Sequence, residues 1–206
     1  MSLKNKKVLI TAGPTWVAID DVRVISNIAT GATGIALAEK LSRRGAKVTL
    51  FLGPVAACCI SKKVRVVFFR FFDELRRGLA AELRAGKYDI IIHSAAVSDF
   101  KPDPPFRGKI DSSLRHTLRL SPLPKIIRDI RRLDPGAKLV MFKLEPGTKD
   151  PELIRAAAIA CKNAGADLVV ANRIKPYSAF IIDRQGKRIA AKSKDSLVNK
   201  LLKVLI

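Results

Sequence analysis

The chain has 206 residues, 48% hydrophobic and 28% charged, which is the balance of one folded α/β domain spanning residues 1–206 rather than of a disordered chain. Its 39 Lys and Arg against 18 Asp and Glu leave a net charge of +21, a field that attracts polyanions from nucleic acid to triphosphates. No apolar run approaches the ~20 residues that cross a bilayer, and residues 1–7 lack the apolar stretch of a signal peptide, so a cytoplasmic protein without membrane attachment is expected.

In chain order, residues 8–11 form a short apolar run stopped by Gly13-Pro14 and predict a buried first strand. A helix is expected from Gly31–Gly34 through Ile35, Leu37, Ala38 and Leu41 to a stop at Gly45. Residues 48–52 form a second strand closed by Gly53-Pro54, residues 64–69 a third, and residues 72–85 a helix ended by Gly86. Residues 89–95 have the continuous apolar character of a central parallel strand buried on both faces. A Pro-rich stretch, 100–113, interrupts the rhythm; a short strand near 117–120 and a helix over 124–133 follow. Strand 139–142, helix 151–164 and strand 168–171 complete the parallel part; residues 180–183 and 188–190 read as an edge hairpin, and 195–205 as a closing helix. Repeated βα units of this kind give a Rossmann-like doubly wound, mostly parallel sheet with an antiparallel edge hairpin, whose ligand site lies at the carboxyl ends of the strands.

The chemistry of an ordinary dinucleotide enzyme is not written here. Such a site needs glycines in a tight turn between the first strand and its helix, whereas Gly13 and Gly31 are separated by seventeen residues. The second strand ends in Gly53-Pro54 with no acid to hold a ribose, and neither Tyr88 nor Tyr177 begins a Tyr-x-x-x-Lys pair. An NAD(P) oxidoreductase is thereby disfavoured. Two Tyr and one Trp give no stacking platform for nucleic acid, and the positive residues are spread in pairs along the chain, as on a solvated surface. Cys58, Cys59 and Cys161 have no metal-ligand spacing and read as plain buried or half-buried thiols, with no protein-held metal implied.

Residues 9–15, 21–27 and 30–34, taken with 94–100, resemble the phosphopantothenate–cysteine ligase family, the second activity of a bifunctional coenzyme A biosynthesis protein in many bacteria and archaea. Lys109-Ile110 stands where that family carries its Lys-Ile-Lys motif, and residues 142–145 and 167–172 are similar to its later landmarks. The resemblance runs in order over nearly the whole chain. It implies a Mg²⁺-dependent reaction in which the carboxylate of 4'-phosphopantothenate attacks the α-phosphate of CTP or ATP, after which the cysteine amine displaces the nucleotide. Such chemistry needs positioning and positive charge more than covalent help.

Carried over position by position, the resemblance implies Asn27 and Lys109 as the catalytic groups, one holding the acyl-nucleotide and the other the triphosphate. Gly13, Thr15, Gly31 and Gly34, with Asn27, form the substrate and phosphate side; Gly31 and Gly34 open a helix whose free N–H groups suit an anion. His93, Ser94, Ala95, Asp99, Lys109, Pro124, Lys125, Ile126, Ile127 and Phe142 fall to the nucleotide. Read on residue type alone, His93 is a satisfied core imidazole rather than an acid or base, and Phe142 a core ring. The resemblance further implies a homodimer, for which residues 180–190 are the expected contact, and a phosphopantothenoylcysteine decarboxylase as a possible partner.

Three positions depart from the family. Trp16-Val17 follows Thr15 where an acid is usual, Ala32 stands between the glycines where Lys or Arg is usual, and Asp111 replaces the second Lys of the Lys-Ile-Lys motif. Lys101, Arg107 and Lys125 are the cations that could compensate. A degenerate nucleotide-binding homologue, or a non-catalytic subunit, is the alternative that Ala32 and Asp111 raise. Residues 142–145 resemble the animal form, which favours ATP, while family breadth favours CTP.

Overall fold

The computed structural model describes residues 3–56 and 59–205; Met1, Ser2 and Cys58, on which the readings of the chain start and of one thiol rest, lie outside the described residues. Its first half runs β1 (Lys7–Ala12), β2 (Trp16–Ala18), β3 (Val24–Ser26), α1 (Ala32–Arg43), β4 (Lys47–Leu52), β5 (Arg65–Phe68), α2 (Phe72–Ala85), β6 (Ile90–His93) and β7 (Phe100–Pro102). The second half runs β8 (Leu120–Pro122), α3 (Ile126–Leu133), β9 (Lys138–Leu144), α4 (Asp150–Ala164), β10 (Leu168–Arg173), β11 (Ser178–Asp183), β12 (Arg188–Ala191) and α5 (Lys194–Leu205).

Eight strands form one sheet in the order β12-β11-β10-β9-β6-β1-β4-β5. The last six are mutually parallel, while β11 and β12 are added antiparallel as the edge hairpin. β1 and β4 are exposed only at their first residue and buried thereafter, because helices cover both faces, which is why their sequences are apolar without alternation. Val8, Ile10, Val48 and Leu50 point to the layer of α1 and α5, and Leu9, Ile91, Leu139 and Val169 to the layer of α2, α3 and α4. Each fully buried Leu in these layers, such as Leu37, Leu41, Leu75 and Leu201, contributes about 1.5–3 kcal/mol of transfer free energy at most. The helix ends follow local chemistry. Glu74 accepts the N–H groups of Arg70 and Phe71 to start α2, and Gly165, at φ 63°, ends α4.

β1 is central: its connection by α1 goes to β4 on one side, and the chain later returns to β6 on the other. The carboxyl ends of β1 and β6 are therefore the topological switch point, where an open α/β sheet leaves a crevice.

Four expectations from the sequence need correction. The strand expected near residues 117–120 is β8 at Leu120–Pro122, and it pairs antiparallel with β7, inside the stretch taken as an interruption. The seventeen residues between Gly13 and Gly31 hold a hairpin of β2 and β3. All four of these strands have three residues each, too few for a period to show, and their pairing is supplied by neighbours distant in sequence. The helix expected from Pro124 begins at Ile126, since the residue before a helix keeps extended dihedrals. Cys59 is exposed rather than buried, while Cys161 is buried as expected, with burial raising its thiol pKa.

Candidate active site

The loop that looked too long for a tight turn closes to a narrow neck in space. Gly13 and Gly31 both have positive φ, 82° and 69°, and a Cβ on Gly31 would lie 3.3 Å from the Gly13 amide nitrogen. Gly53, at the end of β4, completes the neck, since a Cβ there would lie 2.2 Å from the Pro14 carbonyl. Backbone meets backbone at these points, which only glycine permits. Gly34 sits in the first turn of α1 against the ends of β1 and β6, where a Cβ would lie 2.5 Å from the Ala12 Cβ and 2.8 Å from the Ser94 Oγ. The β2–β3 hairpin thus leaves and returns at one point, and α1 starts at the carboxyl end of β1.

At that start the first helical hydrogen bond is Ile35 N–H to the Gly31 carbonyl at 3.0 Å; the Ala32 N–H reaches the Thr30 hydroxyl at 3.4 Å, and the N–H groups of Thr33 and Gly34 have no protein acceptor among the described residues. No acid occupies the first turn, leaving the positive end of the helix dipole unneutralised.

The opposite wall is the segment leaving β6. Ser94 Oγ donates to the Thr11 carbonyl at 2.6 Å, and Ala95 N–H donates to the Thr11 hydroxyl at 3.2 Å. Residues 96–98 then run beside 13–15: Ala96 N–H donates to the Gly13 carbonyl at 2.9 Å and Thr15 N–H to the Ala96 carbonyl at 3.3 Å. Thr15 and Ser98 are buried and bonded to each other, Ser98 N–H reaching the Thr15 hydroxyl at 2.8 Å. Asn27, exposed at the end of β3, donates its amide N–H groups to the Ala96 and Val97 carbonyls at 3.1 and 3.2 Å. Its Nδ2 is thereby held, and its carbonyl oxygen has no protein donor among the described residues. Gly13, Thr15, Asn27, Gly31, Gly34, Ser94 and Ala95 are consequently brought together. Thr11, Ser98 and Gly53 belong to the same construction and were missed, because a Thr inside a strand or a Gly at its end carries no site signal of its own.

His93 ends β6 half-buried, its Nδ1 sharing a hydrogen bond of 2.9 Å with the Thr11 hydroxyl. Burial pushes its pKa down from 6.5 to about 4, so the ring is neutral near pH 7, as a satisfied core imidazole should be. A folded-state pKa below the unfolded one means that the unfolded chain binds the extra proton between those values. Stability contributed by neutral His93 is complete above pH 6.5 and is lost as pH falls toward 4, by roughly 2 kcal/mol given the ring's partial exposure. Thermal melts across pH 7 to 4 should show that decline, and His93→Gln should flatten it; an equally steep decline in the variant would remove His93 as its cause.

The remaining cations come from an arm, residues 103–119, that has no regular structure and is exposed over 111–119. One buried carboxylate holds it. Asp20, at the tip of the β2–β3 hairpin, accepts the N–H of Ile110 at 3.0 Å, those of Val22 and Arg23 at 2.8 and 2.7 Å, and the Arg23 guanidinium. The Ile110 N–H foremost, with the other donors, holds its pKa well below the usual carboxylate range. Asp21 N–H to the Gly108 carbonyl at 3.2 Å ties the same segment. Lys109, exposed and without an ion-pair partner among the described residues, is therefore fixed to the hairpin tip. Asn27 stands at the hairpin base, its side-chain hydrogen bonds going to Ala96 and Val97 rather than to Lys109. Asp111 turns inward on its own loop, its carboxylate taking the Ser113 N–H and hydroxyl, both at 2.9 Å.

Asp99 and Lys125 form an exposed ion pair across the site's outer edge. Of residues 124–127, Pro124 and Lys125 are exposed, Ile126 is buried at 2% and Ile127 packs against the core, so the Ile126 side chain belongs to the core at the start of α3. Phe142 on β9 packs partly buried in the α1 and α5 layer. Lys101 lines a cleft of about 290 Å³ with Trp16 and Phe71, whose rings meet edge-on at 6.0 Å. No group of three His, Cys, Asp or Glu able to hold a metal occurs among the described residues, and no helix among them is long and apolar enough to cross a membrane. In the 180–190 hairpin Ile181 and Ile182 are buried and residues 184–188 are exposed, as are Phe100, Leu114, Leu118 and Leu120 on or beside the arm.

Residues 3–205 match the family model for the DNA/pantothenate metabolism flavoprotein C-terminal domain. The coenzyme A biosynthesis bifunctional protein CoaBC of Thermococcus kodakarensis is 40% identical over 97% of this chain, and the match takes up 51% of that relative, so the chain spans about half its length. The DNA/pantothenate metabolism flavoprotein of Streptococcus pneumoniae has a similar structure, with a TM-score of 0.88 at 23% identity over 97% of this chain and 98% of that one. A Cab2 variant in complex with phosphopantothenate-cysteine has a TM-score of 0.78 at 20% identity over 98% of this chain and 87% of that one.

Proposed function

Because the chain belongs to the DNA/pantothenate metabolism flavoprotein C-terminal domain family, we propose that it joins 4'-phosphopantothenate to cysteine through an acyl-nucleotide. The observation that carries this is the meeting of Asn27, the glycine neck and the acid-free N-terminus of α1 at the switch point. An activated carboxyl needs an acceptor and donors held in place beside an anion site. Here the Asn27 amide is fixed by its two Nδ2 bonds, which leaves its carbonyl oxygen to accept from a ligand at the same switch point as the N–H groups of residues 33 and 34. The phosphate of the substrate suits those N–H groups, which is also why the loss of a cation at Ala32 is tolerable: backbone donors and the helix dipole supply the field.

In the first step the pantothenate carboxylate oxygen bonds to the α-phosphorus and pyrophosphate leaves. In the second the cysteine nitrogen bonds to the acyl carbon, the nucleoside monophosphate leaves, and the amine proton passes to solvent. Lys109, carried on the arm, meets the triphosphate as a counter-charge. Mg²⁺ fits as an ion carried on the phosphates, which usually supply most of its non-water ligands, and it would neutralise their charge. Asp99 is the first carboxylate after the end of β6, and Lys125 already engages it. Asp111 serves its own turn and so need not repel the triphosphate, which favours an active enzyme over a degenerate homologue. CTP is the first candidate and ATP the second. A homodimer, for which the hairpin at 180–190 and the exposed apolar side chains of the arm are the two candidate contacts, and a decarboxylase partner like the other half of the bifunctional relatives complete the proposal.

The experiment is a purified-protein assay with phosphopantothenate, cysteine, Mg²⁺ and either CTP or ATP. Pyrophosphate release should require phosphopantothenate, and the amide should appear only with cysteine. Asn27→Ala should lower amide formation about ten- to a hundredfold. Triphosphate stabilisation in a melt without any pyrophosphate release would favour the degenerate reading.

A further inference from the structure

The amino ends of the strands, opposite the crevice just described, carry a second cleft of about 700 Å³, within the size range of small-ligand sites. Six cations line it: Lys7, Arg43, Lys47, Lys63, Arg65 and Lys87, against the single carboxylate of Glu82. Lys7 and Lys47 are register partners at the starts of β1 and β4, so their side chains leave the same face of adjacent strands, a like-charge pairing that is unfavourable when nothing lies between. Lys47 and Lys63 have no ion pair among the described residues. Lys7 gives Asp89 its backbone N–H at 2.8 Å, but Lys6 takes that carboxylate as its ion pair.

The floor of the cleft is rigid. Glu82 on α2 receives both the Arg65 guanidinium and the Tyr88 hydroxyl, and Tyr88 also reaches the Thr49 hydroxyl at 3.2 Å. The one carboxylate is therefore saturated from within; Arg43 pairs with Glu39 at 3.7 Å and Lys87 gives its ammonium to the Leu133 carbonyl at 2.7 Å, so the ammonium groups of Lys7, Lys47 and Lys63 are the ones left to an outside anion. Several cations from three strands and two helix ends exceed what one carboxylate or one phosphate can meet at once. Tyr88, the only aromatic ring in the lining, is half-buried with its hydroxyl tied down, which offers no stacking platform for single-stranded nucleic acid.

We propose that this cleft is a second anion site, which takes a small molecule bearing two or three linked phosphates, whether inorganic or on a nucleotide. It is independent of the ligase reading, since it lies at the other rim of the sheet. The test is lysine-acylation footprinting of the whole chain by mass spectrometry with inorganic tripolyphosphate as probe. Lys47 and Lys63 should be protected at concentrations that leave other exposed lysines, such as Lys175 and Lys187, labelled as before. In Lys47→Gln/Lys63→Gln the protection of Lys7 and Lys87 should need about tenfold or more tripolyphosphate, with melting temperature and ligase activity unchanged. ATP in a second arm should protect the same lysines. Four results would overturn the site: no protection of Lys47 and Lys63 at millimolar tripolyphosphate, equal protection of every exposed lysine, protection by ATP alone, or protection only by a single-stranded oligonucleotide.

Discussion

Lys109→Ala should lower kcat/KM for the triphosphate by about 10²–10³-fold, the usual loss when one preorganised counter-charge is taken from a phosphoryl-transfer site. A group that touches no substrate should reproduce much of it. Asp20→Ala removes the acceptor shared by the Ile110, Val22 and Arg23 N–H groups and the Arg23 guanidinium, so the arm loses its main anchor one residue from Lys109. A misplacement of about 1 Å can cost roughly a hundredfold. Because both changes act through one ammonium, the double variant Asp20→Ala/Lys109→Ala should be barely worse than Lys109→Ala, a non-additivity that a purely structural role for Asp20 does not produce. Limited proteolysis gives an independent readout, with faster cleavage between residues 103 and 119 expected in Asp20→Ala. Independent, multiplying losses would refute positioning; unchanged kinetics in Lys109→Ala would remove Lys109 from the site.

Gly34→Ala is expected to destabilise the fold by about 1–3 kcal/mol, or roughly 3–10 °C in Tm. Two effects oppose each other. Alanine is intrinsically better in a helix by about 1 kcal/mol, but Gly34 lies in the first turn, where that gain is reduced, and its Cβ would lie 2.5 Å from the Ala12 Cβ and 2.8 Å from the Ser94 Oγ. Ala12 is on a buried central strand and cannot give way, and Ser94 holds the Thr11 carbonyl at 2.6 Å. The helix must therefore lift from the sheet and carry its N–H groups away from the crevice, so activity should fall with stability. Restoring space with Ala12→Gly in the Gly34→Ala background should recover part of the loss, measured by denaturant unfolding. A Gly34→Ala protein as stable as the parent would show that the contact is easily relieved.

The exposed cleft at the amino ends and the arm illustrate why one part of this protein is readable and another is not. Residues such as 48–52, 72–85 and 168–171 announce themselves by apolar runs and helical spacing, since burial on one or both faces leaves a local periodic mark. The hairpin of β2 and β3 leaves none, because three-residue strands depend on partners for their shape. Lys109 could be named from the motif resemblance, yet its anchor at Asp20, about ninety positions away in sequence, could not, since a carboxylate's burial is invisible until the chain is folded.

By itself, then, the amino-acid order determined the alternation of strands and helices, the central parallel strands, the edge hairpin and the residue types of an anion-handling site. Tertiary structure alone decided that Gly13, Gly31 and Gly53 close one neck across a seventeen-residue loop, that Asn27 hangs from the Ala96 and Val97 carbonyls, and that Ile126 belongs to the core. The division has a physical cause. Backbone propensity and hydrophobic period act over a few residues and are written locally, whereas close approach and buried charge pairing depend on which distant segments the packed core brings within hydrogen-bonding reach.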